Sequence, residues 1–421
     1  MIKKITTGLL VSYFFIFLVN NLSLSWDRYI VQFLVLSGIN IVTFIFLLKN
    51  YSFTDTINSF KKSKPIIFYS GFIILSALSI IVAENQVESV IVFSQYLTFF
   101  FALLLIYTLA KQSKINFINI FIKLCLISVF IESAYILLIF FDNVIFSGES
   151  FSRSNIYKGF TANINIAAFS LVAKSPAVFY YLIKSKKLVF KILCGLLILM
   201  IASCLSILLS RGAFIAFFIV VFLIILYTLV NKTDRHILGS SILVLSILIS
   251  YFIFSNLLVT KQDNLLNDRI SSIQFDGEDQ SINERLRFYR GAYQSIKESP
   301  FLGIGIGNWK IKSMKYDAKY SKGYRVPFHA HNDLLQIAAE SGIFASIFFM
   351  IFIIYPFYVF IKHKIYNTID LKYFSILLMM LAYIIDTLIN FPVARPISHI
   401  FLIFVSITLI FLANKYEKNN I

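Results

Sequence analysis

Runs of about twenty consecutive apolar residues recur along almost the whole chain, and they restrict its possible folds more tightly than any motif does. A hydrocarbon layer about 30 Å thick needs about 20 apolar residues in a helix rising 1.5 Å per residue. Only helices and closed barrels satisfy their backbone hydrogen bonds there. Twelve such runs are counted, near 7–24, 30–48, 66–84, 89–110, 115–141, 163–183, 188–209, 212–230, 237–259, 335–361, 372–391 and 397–414. The chain is 58% hydrophobic and 14% charged, whereas soluble domains are roughly 45–50% apolar and about 25% charged. The expectation is an all-α membrane protein with about twelve transmembrane helices, residues 1–421 forming a single polytopic membrane domain.

The formal net charge of +17 does not point to nucleic acid, because the basic residues are scattered between the apolar runs instead of sharing one face. Their distribution indicates orientation. Lys49, Lys61, Lys62 and Lys64 occupy one connection and Glu84 and Glu88 the next. Lys111 and Lys114 follow, then Asp142 and Glu149. Lys and Arg in short loops mark the cytoplasmic side. Extending the alternation through Lys184, Lys186 and Lys187, then Lys232 and Arg235, then Lys362, Lys364 and Lys372, puts both termini in the cytoplasm. Arg211, the loop after the fifth run, the segment 260–334 and Arg395 then face outward on one working surface.

Cys125, Cys194 and Cys204 lie inside apolar runs, where a thiol behaves as a small hydrophobe, so neither a disulfide framework nor a metal site is expected. The first apolar run is followed at once by others and reads as a membrane helix, not as a cleaved leader.

The segment 260–334, between the ninth and tenth runs, is the long extracytoplasmic loop and is expected to contain short helices. Between Lys261 and Arg325 it holds twelve Lys or Arg against eight Asp or Glu, an excess that suits an anionic ligand. Asn283 to Lys297 reads as an amphipathic helix with Leu286, Tyr289, Tyr293 and Ile296 along one stripe, ended by Ser299-Pro300. Gly303-Ile304-Gly305-Ile306-Gly307 has no strand or partner acid beside it, so a dinucleotide fold is rejected. It reads as a flexible turn, the alternative being backbone N–H groups facing a phosphate. His329 and His331, two residues apart, do not share a helical face and lack a zinc spacing. A His at the membrane boundary suits a general base or a phosphate contact.

Five blocks now coincide. They are Gly159-Phe-Thr-Ala-Asn163-Ile-Asn165, Ser210-Arg211-Gly212-Ala213, and Arg285-Leu-Arg-Phe-Tyr289-Arg-Gly-Ala292 running into Pro300-Phe-Leu-Gly303-Ile-Gly305. His331-Asn332-Asp333-x-Leu335-Gln336 with Glu340 and Gly342 follows, then Asp386 with Phe391-Pro392. In this order they resemble the signature of the O-antigen ligase and polymerase superfamily, with Tyr289 where that family usually has Trp.

The resemblance implies a bacterial inner-membrane transferase acting on the periplasmic or exterior face. Its donor is a glycan on undecaprenyl pyrophosphate, and its acceptor is a hydroxyl of the lipid A core in a ligase or of a second lipid-linked glycan in a polymerase. It further implies inversion at the anomeric carbon and no metal or other cofactor. On this reading His331, Arg211 and Arg285 are the catalytic residues, and Arg287, Arg290, Asn332, Arg395, Asn163 and Lys174 contact substrate. Arg suits a pyrophosphate because its planar fork of donors never loses its charge.

Glu132, Lys174 and Asp386 are ionisable groups inside apolar runs, where charge is costly and function is the default reading. Lys174 either lines a substrate cavity or pairs with Glu132. His236 and His363 fall in cytoplasmic loops, and His399, at the start of the last run, receives no role. The competing classes are a transporter using those intramembrane charges, disfavoured because no internal repeat is visible, and a structural or sensory membrane protein.

Overall fold

The computed structural model describes residues 1–19, 29–52, 54, 58, 60–61, 63–231, 233–257, 280–318, 326–363 and 370–419. Among them there is no strand, and eleven helices are long and apolar enough to cross a membrane. The chain is a multi-pass, all-α membrane protein.

The helices run α1 (Ile2–Phe14), α2 (Ile30–Asn50), α3 (Lys64–Leu78), α4 (Gln86–Gln112) and α5 (Phe117–Phe140). Then come α6 (Ile164–Lys184), α7 (Leu188–Leu208), α8 (Arg211–Val230) and α9 (Asp234–Leu257). The polar segment contributes α10 (Gln280–Glu298), α11 (Trp309–Asp317) and α12 (Asp333–Ser341). Three further spans, α13 (Ile343–Lys362), α14 (Leu371–Ile389) and α15 (Pro396–Asn419), complete the order.

Ten of the twelve expected runs fall on one spanning helix each. The first, expected at 7–24, is α1 continued by a 3-10 turn at Phe15–Leu18, shorter than a full crossing, and residues 20–24 lie outside the described residues. The tenth, expected to be continuous from 335, is broken into α12 and α13 at Gly342. Gly342 has φ +88, and a Cβ there would sit 1.9 Å from the carbonyl oxygen of Phe301. Only glycine tolerates that conformation and that approach. Apolar periodicity alone could not show the break, because both halves are apolar.

The chain forms two compact units: Met1–Phe117, Phe275–Thr368 and Asp386–Ile421 make the first, Ile118–Gln274 and Ile369–Ile385 the second. In the first, α3 packs on α13, α2 on α4, and α15 on α4 and α13. Leu34, Ile41 and Leu48 of α2 point outward, while Phe33, Leu36, Asn40 and Leu47 turn inward. This is the inverse of a soluble surface and leaves the outer face to lipid. A buried polar link joins three helices there: Tyr13 Oη donates to Asn40 Oδ1 (2.7 Å), and Asn40 Nδ2 donates to the Thr98 carbonyl (3.0 Å). In the second unit α6 is central, packed by α7, α8 and α9, with 89% of its apolar window buried. Lys191 is buried and donates to the carbonyl of Leu182 in the last turn of α6 (2.9 Å), where carbonyls lack helical partners.

Gly342→Ala is expected to destabilise the protein by about 1–3 kcal/mol or more, from backbone strain and the clash with Phe301. Gly8→Ala, with open space around its Cβ position, is expected to be neutral. Thermal unfolding in detergent checks this; equal midpoints for the two variants would remove the tight-junction account.

Candidate functional site

The polar segment docks on the first unit through α12 and the turn before it. Asn332 caps α12, its Oδ1 accepting the N–H of Leu335 (3.0 Å). An Asn at this position satisfies one of the donors a helix N-terminus leaves open. His331 precedes the cap with φ +57, a left-handed conformation uncommon outside glycine and Asn. The hydroxyl of Tyr289 on α10 lies 3.0 Å from the His331 carbonyl and 3.0 Å from that of Leu388 at the end of α14, and donates into this pair of acceptors. Asn332 Nδ2 donates to the same Leu388 carbonyl (3.3 Å). Loop helix, His turn and spanning helix are thereby joined at one point.

The buried face of α10 differs from the expected stripe. Gly291, Ala292, Ser295 and Ile296 are buried and Arg285, Phe288 and Tyr289 half-buried, whereas Leu286 and Tyr293 are exposed. Ala292 and Ile296 pack with Trp309, Ala330, Ala338 and Ala339. The rotation follows from the partners: the small residues of α12 admit the small face of α10, and Leu286 is left exposed.

The Gly303–Gly307 turn is neither flexible nor a phosphate nest. Gly303, Gly305 and Gly307 all have positive φ, and a Cβ on Gly303 would fall 2.4 Å from the Glu340 backbone. The N–H of Ile304 donates to the Ala339 carbonyl (2.9 Å) and that of Ile306 to Ser79 Oγ (3.0 Å). The N–H of Gly307 is held by the Glu340 carboxylate, as is that of Trp309 (3.0 Å). Asn308 completes the joint, accepting from the Asn85 N–H (2.9 Å) and donating to Ser89 Oγ (2.8 Å). Lys310 pairs with Glu88 (2.6 Å) and Lys312 with Glu84. The polar segment is therefore fixed to the same end of the first unit as the turn between α3 and α4.

Two imidazoles and a guanidinium meet at this end. The His329 ring stacks on Phe391 with centroids 3.8 Å apart and planes 13° apart, and the Arg395 guanidinium carbon lies 3.8 Å from the same ring centre. Two groups cannot share one such position, so Phe391 is sandwiched between them. His331 meets Phe391 edge-on at 5.2 Å and lies near-parallel to Phe288 at 6.1 Å. Arg395 is 1% exposed, and its Nε and Nη1 have no hydrogen-bond partner among the described residues. The Nδ1 atoms of His329 and His331 are likewise buried without one. Buried polar atoms are nearly always paired, so four orphans within one cluster indicate a place prepared for polar groups from outside.

Charge sets the protonation here. Burial, then Arg285 and Arg395, pushes His331 down to about 4. Burial, then Arg395 and His331, pushes His329 down to about 3. Both rings are neutral at pH 7. Burial raises the carboxyl of Asp333 well above its usual range, against the Val393 N–H that its Oδ2 accepts (3.0 Å) and the charge of Arg395. Burial also raises Glu340 to about 7, opposed by its bonds to Gly307, Trp309 and Gln336. Gln336 in turn accepts the Ala330 N–H (3.0 Å), between the two His residues.

Of the residues singled out from sequence, His331, Asn332, Arg285 and Arg395 gather in this cluster. Arg287 lies elsewhere on α10, its Nε 3.3 Å from Asp317 of α11, and Arg290 is exposed. Asn163, Lys174 and Arg211 belong to the second unit. Asn163 caps α6, accepting from the Ile166 N–H (3.1 Å). Lys174 pairs with Glu132 (2.5 Å), with Ser128 and Ser170 completing the network, so of its two readings the structure shows the ion pair. Removing one member of such a buried pair costs about 3–5 kcal/mol. Arg211 is half-exposed in the first turn of α8, after a turn in which Leu209 has φ +47.

Three residues had no role of their own in the sequence reading, although Phe391 and Asp333 stood in its blocks; Arg153 belongs to the second unit. Arg153 reaches the turn before α8, donating to the Leu208 carbonyl (3.4 Å) and to Asn165 (3.3 Å). Phe391 is the platform of the cluster, and its neighbour Pro392 was the available signal. Asp333 fastens the Val393 turn, which nothing local announces.

Residues 195–350 match the family model described as O-antigen ligase. That stretch contains Arg211, Arg285, Arg287, Arg290, His331 and Asn332, and leaves Asn163, Lys174 and Arg395 outside it. Comparison with curated proteins gave no match. Over residues 195–350 the chain is therefore similar to the O-antigen ligase family, and its apolar helices make it a multi-pass membrane protein.

Proposed function

We propose that the protein is a glycosyltransferase of the ligase type, moving a glycan from undecaprenyl pyrophosphate to a hydroxyl of the lipid A core on the outer face of the cytoplasmic membrane. The observation that carries this reading is the buried His331, whose Nδ1 has no partner among the described residues and whose ring burial, Arg285 and Arg395 keep neutral. A base must be unprotonated to accept the acceptor's proton, and a pyrophosphate leaving group needs fixed positive charge where its own charge grows. Both requirements are met within one cluster.

In the step proposed, His331 takes the proton of the acceptor hydroxyl as its oxygen attacks the anomeric carbon. The bond from that carbon to the pyrophosphate oxygen breaks, its electrons pass to the leaving group, and the configuration inverts. Arg285 and Arg395 hold the pyrophosphate oxygens. For Arg211 the support is its sequence block, and for Arg287, Arg290 and Asn163 it is the family resemblance; Lys174, raised only as an intramembrane charge, is engaged with Glu132. The chemistry is assigned to side chains, with neither metal nor cofactor.

A base at about 4 is weak, and the same cations that depress it supply the remedy. A bound pyrophosphate offsets the charges of Arg285 and Arg395, so the ring becomes more basic once donor is present. The neutral form dominates above the folded value and is lost as pH falls through it. The acid limb of kcat/KM, reporting the free enzyme, is therefore expected near pH 4–5, and that of kcat at higher pH. A limb of kcat/KM near 6.5, or the reverse order of the two limbs, would refute the coupling.

The direct experiment offers purified protein an undecaprenyl-pyrophosphate glycan and, separately, a lipid A core or a second lipid-linked repeat. Product on the lipid A core is expected; lengthened lipid-linked chains in its place would assign a polymerase. His331→Ala is expected to lower transfer by about 10²–10⁴-fold, and Arg285→Ala by about 10²–10³-fold, with unfolding temperatures near wild type and no response to chelators. Unchanged rates in both variants would sink the assignment.

A further inference from the structure

His399 lies in the first turn of α15, fully buried, with both ring nitrogens engaged. Its Nδ1 is 2.7 Å from the carbonyl of Val393 and its Nε2 is 2.7 Å from the hydroxyl of Tyr69 on α3. A carbonyl only accepts, so Nδ1 carries the hydrogen. In the neutral ring Nε2 is then the acceptor, and Tyr69 donates to it. The ring is further fixed by stacking on Phe99 of α4, centroids 4.1 Å and planes 8° apart. On its other side Val393 donates its N–H to Asp333 Oδ2 (3.0 Å), two residues after His331. Hydrogen bonds thus link Tyr69 to His399 and His399 to the Val393 carbonyl, and the N–H of the same residue links on to Asp333. In the middle of these links is the 3-10 turn Pro392–Ala394, which is flanked by Phe391 and Arg395.

We infer that His399, held by Tyr69, is a positioning residue that sets the Phe391–Arg395 turn against the His329–His331 segment. Its ring reaches the site through the Val393 carbonyl, and its backbone N–H donates to the carbonyl of Arg395 (2.9 Å). The role rests on the transferase reading for its effect on rate, but not for its effect on the turn. Phe391 is held from below by these bonds and from its faces by His329 and Arg395. Displacing the turn moves the guanidinium that faces the leaving group and loosens the contact of Phe391 with the His329–His331 segment, which precedes α12.

The test uses the whole membrane protein with His399→Ala, His399→Asn and Tyr69→Phe. Asn keeps a donor near the Nδ1 position and loses the Nε2 contact, so it should restore the Val393 bond alone. Hydrogen–deuterium exchange is read on the peptides covering 390–398 and 329–335. His399→Ala is expected to raise exchange in both while leaving α13 unchanged, His399→Asn to restore most of the protection, and Tyr69→Phe to give an intermediate loss. In the transfer assay His399→Ala should lower kcat by about a hundredfold, the scale of a misplaced reacting group, with a much smaller change in KM and partial recovery in His399→Asn. Unchanged exchange in 390–398 for His399→Ala, or an Asn variant no better than Ala, would overturn the positioning role. Restored protection together with a wild-type protein that transfers nothing would uphold the turn's support by His399 and remove the transferase reading instead.

Discussion

A peptide group in hydrocarbon has no water to bond, and each unsatisfied one costs several kcal/mol. That constraint keeps the spanning backbone helical and confines irregular backbone to the ends of the helices. It is at one such end of the first unit that the unusual conformations collect: His331 and the glycines at 303, 305, 307 and 342 all have positive φ. Each is surrounded by groups that bind its neighbours' N–H and carbonyl atoms. Asn308, Glu340, Gln336 and Tyr289 carry much of that work, linking the polar segment to α4, α11, α12 and α14.

The chemistry follows from how those ends are charged. Arg395 is almost wholly inaccessible and lies near Asp333 and Asp386, with Asn390 donating to Asp386 (2.7 Å). The neighbouring imidazoles carry no charge, because burial and the guanidinium groups both disfavour a further cation. The result is a cluster with positive charge fixed in place, neutral proton acceptors, and polar atoms unpaired among the described residues. The same residues that make the site reactive toward an anion also make its base weak in the free state.

A sequence pattern can promise an anion contact that the fold spends elsewhere. Arg285, Arg287 and Arg290 stand within six residues on one helix and look equivalent along the chain. The helix turns Arg285 toward His331, lays Arg287 against Asp317 and leaves Arg290 outward. Lys174 illustrates the same point in the second unit: a lysine in an apolar run announces a partner, and that partner is Glu132. The three glycines at 303, 305 and 307 read as a turn open to a ligand, yet they are the places where the chain passes closest to Glu340, Ala83 and Val92.

The multi-pass helical plan, ten of the twelve expected span positions and the helix at 280–298 were legible in the sequence, because hydropathy and local spacing act over short stretches of chain. His331 stood out as a protonatable ring at a boundary, whereas the capping of α12 by Asn332 came from the structure. What only tertiary structure decided depends on residues far apart in the chain. The break at Gly342 needs the carbonyl of Phe301, the stacking of Arg395 needs Phe391 and His329, and the place of His399 needs Tyr69, 330 positions away. Hydropathy fixes which segments lie in the membrane; it carries no term for which buried donor meets which acceptor, and the site is made of those pairings.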